Sequence, residues 1–148
     1  MLRIAVEPLT EALLAEGAPL LSDNWIASGS FDPELPLDPN LPAYLKLQEL
    51  GLLLVVTLRQ AGVLQGYVVY AVARSMHHQR LKVAHGEAIY VAPAFRDEAS
   101  TLLKVSEAEL KKRGVDRVGW FVVPGTKAHA FLHRHGFVDD EVVLEKRL

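Results

Sequence analysis

The stretch that most constrains this chain runs from His85 to Gly114, HGEAIYVAPAFRDEASTLLKVSEAELKKRG. Ala88-Ile89-Tyr90-Val91 is a short apolar, β-branched run that predicts a buried strand. Pro93 stops it, because a residue without a backbone N–H cannot continue a central ladder. A helical period follows. Ala99, Leu102, Leu103, Ser106 and Leu110 share one face, and Lys104, Glu107, Lys111 and Lys112 share the other. Gly114 ends the helix, with basic residues in its last turn. A strand that turns at once into a helix N-terminus presents backbone N–H groups and a partial positive charge, an arrangement suited to a pyrophosphate.

The rest of the chain reads as support for this unit. Leu2 to Val6 alternates as a first strand and is closed by Pro8. Thr10 can cap a helix carrying Leu13, Leu14, Ala18 and Leu21, which Pro19 is expected to break. Residues 28–42 hold four prolines and two Asp-Pro steps, which predicts a long surface loop, either a substrate wall or a plain connection. A short helix with Tyr44 and Gln48 then runs to Gly51. Leu52–Leu58 and Leu64–Ala73 are expected as an antiparallel pair around a turn at 60–62. Gly66, inside the second strand, signals a bulge or a close backbone approach. Polar residues 76–82 read as the next loop. Beyond Gly114, a strand at 116–123, a helix capped by Thr126 and a last strand over Phe137–Leu148 complete the order β–α–α–β–β–β–α–β–α–β. Hairpins mixed with βαβ-like steps predict an α/β fold in one domain over residues 1–148: a mixed sheet of six to seven strands flanked by helices.

That order resembles the GNAT acyltransferase superfamily. So do the segment Ile89-Tyr90-Val91-Ala92-Pro93-Ala94-Phe95-Arg96 and the C-terminal Ala128, Phe131-Leu132 and Gly136-Phe137. Asn24-Trp25, Leu37-Asp38-Pro39 and Tyr44 to Gly51 are similar, more narrowly, to GNAT-like proteins that recur in phage and prophage genomes. The resemblance implies a GNAT-like fold in which acetyl-CoA sits where the central strand splays from its neighbour. It implies cofactor contacts from Ile89, Val91, Phe95, Arg96, Ala99, Ser100 and Thr101, largely through backbone amides. It implies direct transfer of an acetyl group to an amine, on a small molecule or a protein, with Glu87 or His85 as the base.

The chain departs from the family pattern at two places. The family's loop, Arg/Gln-x-x-Gly-x-Gly/Ala, uses glycines because backbone must approach phosphate closely. Here it reads Arg96-Asp97-Glu98-Ala99-Ser100-Thr101, without glycine and with two carboxylates. Those carboxylates oppose a polyanion, but they are also ordinary residues for a helix N-terminus. A tyrosine that the family often places before the last turn of its final helix is replaced by Leu132, which transfers no proton. These departures leave open a second function of another class: a GNAT-like scaffold without catalysis that binds a protein, with a phage-encoded host-targeting module as one setting.

Composition narrows the partners. A net charge of −2 gives no reason to expect a nucleic acid, and Lys104, Lys111, Lys112 and Arg113 read as a solvated helix face. The absence of cysteine excludes disulfides and thiolate catalysis and fits a cytoplasmic setting. No apolar run has the length of a membrane span. His77 and His78 read as a solvated loop. His129 and His133 stand i,i+4, a spacing that can chelate a metal, but no third ligand is evident and no metal site is expected. An exposed edge strand or the final strand could pair with a second copy to form a homodimer.

Overall fold

The computed structural model describes residues 1–28 and 34–148. The stretch 29–33 of the proline-rich loop expected at 28–42 lies outside the described residues. The strands are β1 (Leu2–Val6), β2 (Leu53–Gln60), β3 (Val63–Arg74), β4 (Lys82–Val91) and β5 (Arg117–Trp120). The helices are α1 (Glu11–Ala27), α2 (Leu41–Glu49), α3 (Ala99–Lys112) and α4 (Lys127–Arg134), with a 3-10 turn over Pro93–Glu98 joining β4 to α3. The strands lie in sequence order in one sheet; β1 to β4 are antiparallel, and β4 and β5 are parallel. This is the expected α/β architecture, a mixed sheet covered by helices.

Each face of the sheet has its own apolar core. Leu54, Val56, Leu58, Val68, Tyr70 and Val72 point towards Leu102 and Leu110 of α3. Leu53, Val55 and Leu64 face Leu13 and Leu20 of α1 and Tyr44 and Leu47 of α2. The alternation along β2 therefore buries both faces, which is why the strand reads as a continuous apolar run. The β2–β3 hairpin turns on Ala61 (φ 48°) and Gly62 (φ 83°), a two-residue turn whose twist matches that of its strands. At Gly66 both expected features are present. The ladder slips between Leu58 and Arg59, leaving Gln65 without a partner on β2, and a Cβ on Gly66 would lie 2.9 Å from the Tyr90 carbonyl oxygen.

Polar side chains fasten the helices. Gln48 accepts from the Leu9 amide at 2.6 Å and donates to the Leu9 carbonyl at 2.8 Å, pinning α2 to the segment after β1. Arg59 donates to Glu7 and to Glu16, each at 2.6 Å, and to the Gly62 carbonyl at 2.8 Å. One guanidinium thereby joins the end of β1, the first half of α1 and the β2–β3 turn.

Several expectations are corrected. The described residues form five strands, not six to seven. Residues 137–148 form no strand: Asp139-Asp140-Glu141 interrupts their apolar alternation with residues poorly suited to a pleat, and Val138, Val142 and Leu144 are exposed. β5 ends at Trp120 rather than at 123, and β4 begins at Lys82, so the expected Ala88–Val91 strand is the second half of a longer one. α1 runs unbroken through Pro19. Leu13 and Gly17 before the proline and Leu20 after it all lie against the sheet, and that packing offsets the lost backbone hydrogen bond.

Candidate active site

The site begins where β4 and β5 part. Their N-terminal ends are fastened: the Lys82 amide donates to the Asp116 carboxylate at 2.9 Å, and the Asp116 amide donates to the Lys82 carbonyl at 2.8 Å. The ladder then pairs Val83–Gly86 with Arg117–Trp120 and ends there. From Glu87 to Val91, β4 keeps its partner β3 on one side and has no strand on the other among the described residues. Among these residues, that edge of β4 is left without a strand partner from Glu87 onward, up to the 3-10 turn that leads into α3.

Two local features produce the parting. A Cβ on Gly86 would fall 2.2 Å from the Trp120 ring, so the indole occupies the space a side chain would need; its ring meets Tyr70 edge-on at 5.3 Å. The ladder to β3 then slips between Tyr70↔Gly86 and Val69↔Ala88, leaving Glu87 as a bulged residue. A bulge bends its strand, raises the local twist and re-aims the extra side chain. Gly86 and the bulge lie at adjacent positions, and β5 leaves there. The Trp120 Nε1–H is buried and meets no acceptor among the described residues.

Glu87 is exposed. Its charge is felt at Tyr44 of α2, whose hydroxyl pKa is raised first by burial and then by that carboxylate. His85 is also exposed and stacks on Phe121 at 5.7 Å with the rings 20° from parallel. Simple alternation does not relate the two residues, because Glu87 is itself the bulged residue. Beside them, Tyr90 meets Tyr67 with ring centroids 6.5 Å apart, and Asn24 of α1 donates to the Tyr67 hydroxyl at 3.0 Å. Burial pushes the Tyr67 pKa up to about 12, so this hydroxyl stays protonated at neutral pH. Tyr44, Tyr67, Tyr90 and Asn24 carry no local sequence signal as site residues; only the packing of β3, β4 and the two helices brings them together.

The turn after β4 holds the remaining candidates. The Arg96 Nε–H donates to the Val91 carbonyl at 2.8 Å, and its guanidinium lies 5.6 Å from the centre of the Tyr90 ring. The arginine therefore closes the turn on which it stands. Phe95 marks a kink (φ −120°, ψ 16°) and packs against the α3-side core, as do Ile89 and Ala99. The Phe95 amide donates to the Ala92 carbonyl, and the Ala99 amide to the Arg96 carbonyl. No residue between 92 and 99 has a left-handed backbone, so the glycine-free sequence is accommodated by tight 3-10 turns. α3 starts without a side-chain cap. Ser100, in its first turn, hydrogen-bonds His135 Nε2 at 2.9 Å, and Thr101 is exposed beside it. Leu132 is 3% exposed and belongs to the interior of the fold.

At the far end of α4, His129 and His133 gain a neighbour. Each Nε2 lies 2.7 Å from the same Asp139 Oδ1, beyond the Gly136 turn (φ 87°). The spacing of the histidines was legible in the sequence; the return of Asp139 was not.

The acetyltransferase (GNAT) family model matches residues 19–137, well over half the chain. No curated protein matches it. Among solved structures, the chain is similar to a Trypanosoma brucei acetyltransferase, at 18% identity and a TM-score of 0.72 over 100% of both chains. It is similar to AAC(6')-Iy, solved with the bisubstrate analogue CoA-S-monomethyl-acetylneamine, at 19% identity and 0.73 over 100% of this chain and 98% of that one. A ribosomal-protein-alanine N-acetyltransferase from Brucella melitensis biovar Abortus 2308 follows at 18% and 0.71, over 100% and 99%. Likeness at these identities is a likeness of fold.

Proposed function

Since the chain belongs to the acetyltransferase (GNAT) family, we propose that it is an N-acetyltransferase that takes acetyl-CoA into the gap between β4 and β5. The observation that carries this reading is the end of the β4–β5 ladder at Gly86–Trp120, one residue before the bulge at Glu87. The open edge of Glu87–Val91 offers backbone donors and acceptors to an extended chain that itself carries amides, and so fits the pantetheine arm. Ile89 and Val91 line this edge. The uncapped N-terminus of α3, with Ser100 and Thr101, is the place in the fold suited to the pyrophosphate. Acetyl-CoA supplies an activated thioester there.

The protein's own task is to bring an amine to that gap and remove its proton. Glu87, re-aimed by the bulge, is the base, acting directly or through one water. His85 stands two residues away and can assist. As the new C–N bond forms, the amine proton passes to Glu87, the C–S bond breaks, and the thiolate takes its proton from water, since Leu132 has none to give. The half-buried Tyr44 and Tyr90 and the exposed Glu87 carboxylate suit a cationic acceptor, which aromatic faces and a negative charge both attract. An aminoglycoside-like amine and a protein N-terminus are the two acceptor types that the similar structures suggest.

The test is release of free thiol from acetyl-CoA against a panel of such amines. Glu87→Gln is expected to lower kcat about 100-fold or more, the usual scale of general-base catalysis, with little change in CoA binding. Unchanged turnover in that variant would remove Glu87 from the mechanism.

A second reading has its own support. The Phe95 and Ala99 amides are already engaged within the turn, and Asp97 and Glu98 add negative charge to it. On this reading the chain is a non-catalytic scaffold that binds a protein, in a phage setting or otherwise. It predicts that neither CoA nor acetyl-CoA binds.

A further inference from the structure

We infer that His129, His133 and Asp139 form a binding site for a zinc-class divalent cation, one that staples the C-terminal segment to α4. The sequence supplies the first two ligands one helical turn apart, and the fold brings the third. Thr126 caps α4 by accepting from the His129 amide at 3.3 Å, which fixes the first turn of the helix. Gly136 reverses the chain after the helix, and Asp139 returns to lie over both imidazoles. The three ligand atoms lie within 4.8 Å of one another, and the two rings are 4.3 Å apart.

The chemistry of the set selects the ion. Two imidazoles and one carboxylate are nitrogen-rich and borderline in softness, which favours zinc and the later first-row metals over magnesium or calcium. Zinc bonds of about 2.0–2.2 Å place tetrahedral ligands about 3.3 Å apart. Asp139 Oδ1, now 2.7 Å from each nitrogen, would have to withdraw by only about half an ångström. Its side chain is 71% exposed and free to do so. Water fills the fourth position, because the site faces solvent.

One contact must change. The Gly125 amide donates to His129 Nδ1 at 3.1 Å, which places that ring's proton on Nε2. A cation on Nε2 moves the proton to Nδ1, so the Gly125 amide must release the ring and turn to water. The contact is exposed and sits at a glycine with φ 78°, where water can replace the ring nitrogen as the amide's partner. This required change gives the inference a signature of its own.

The consequence is order beyond residue 137. Val138, Val142 and Leu144 are exposed, and Asp139 is the first residue of this segment held by side chains of α4. A cation there would convert a pair of hydrogen bonds into coordinate bonds at the segment's root.

The experiment is titration of the untagged full-length chain with zinc sulfate, followed by calorimetry and by backbone amide NMR, with magnesium sulfate as the comparison. One zinc per chain at micromolar affinity or tighter is expected, with magnesium at least 100-fold weaker. Asp139→Asn and His133→Ala, both at exposed positions, should each weaken zinc at least tenfold, while His78→Ala should change nothing. The Gly125 amide resonance should move on loading. Zinc binding that survives Asp139→Asn or His133→Ala, or that leaves the Gly125 amide unmoved, would overturn the site. So would no saturable binding at about 1 mM zinc.

Discussion

Tyr70 and Ser106 are joined by a hydrogen bond of 2.8 Å in the core between the sheet and α3, and the Ser106 hydroxyl donates to the Leu103 carbonyl at 2.7 Å. Ser106 has one proton, so Tyr70 must donate to it. Burial pushes the Tyr70 pKa up to about 12 and keeps that proton in place. The two deletions are therefore unequal. Tyr70→Phe leaves Ser106 bonded to Leu103 and should cost about 1 kcal/mol; Ser106→Ala strands a buried tyrosine hydroxyl and should cost about 2 kcal/mol or more. Denaturant unfolding of both variants checks the order, and a larger loss in Tyr70→Phe would reverse the assigned donor. At this scale the sequence was uneven in what it disclosed. Gly66 announced a close approach because a glycine inside an apolar strand has few other reasons to be there. Gly86 gave no such signal, since its reason is the ring of Trp120, a residue on another strand. The helical period places Ser106 on the core-facing side, as the structure shows, but its partner Tyr70 lies beyond the reach of any local pattern.

Among the elements, β4 and β5 carry the account. One end is fastened by the reciprocal Lys82–Asp116 bonds and the other is opened by Gly86, Trp120 and the bulge at Glu87. Strand identity and the Pro93 stop were legible. The length of β4, the early end of β5 and the bulge were not, because register is a property of pairs of strands. The C-terminal segment shows the same limit: its apolar alternation predicts a strand, but alternation names no partner. The second fastening is Arg59, which holds β1, α1 and β2 together. Its hydrogen bond to Glu7 is the main cause that lowers the Glu7 pKa below 4.5, against the opposing effect of burial. A depressed carboxylate pKa stabilises the fold fully above its unfolded value and loses that contribution as the pH falls through the folded one. Glu16, 40% exposed on its side chain, adds little because water screens it. The stability gap between the wild type and Arg59→Met should thus be widest near neutral pH and shrink below about pH 4. Thermal unfolding across that range measures it, and a gap that stays constant would mean that the clamp acts by packing alone.

For the molecule as a whole, the sequence disclosed an α/β domain with a mixed sheet, and the family relationship agrees. No helix among the described residues is long and apolar enough to cross a membrane. The candidate site is half legible: Glu87, His85, Tyr90 and the β4–α3 turn come from one continuous stretch, while Tyr67, Tyr44 and Asn24 come from β3 and two helices. The competing readings divide on one physical question, whether a gap made by two parting strands compensates for a turn whose amides are already used. Calorimetric titration of the purified chain with acetyl-CoA and CoA answers it. Saturable binding in the micromolar range is expected, weakened by Arg96→Ala because that side chain holds the Val91 carbonyl and closes the turn. Absence of binding at about 1 mM ligand would contradict it and leave the scaffold reading in its place.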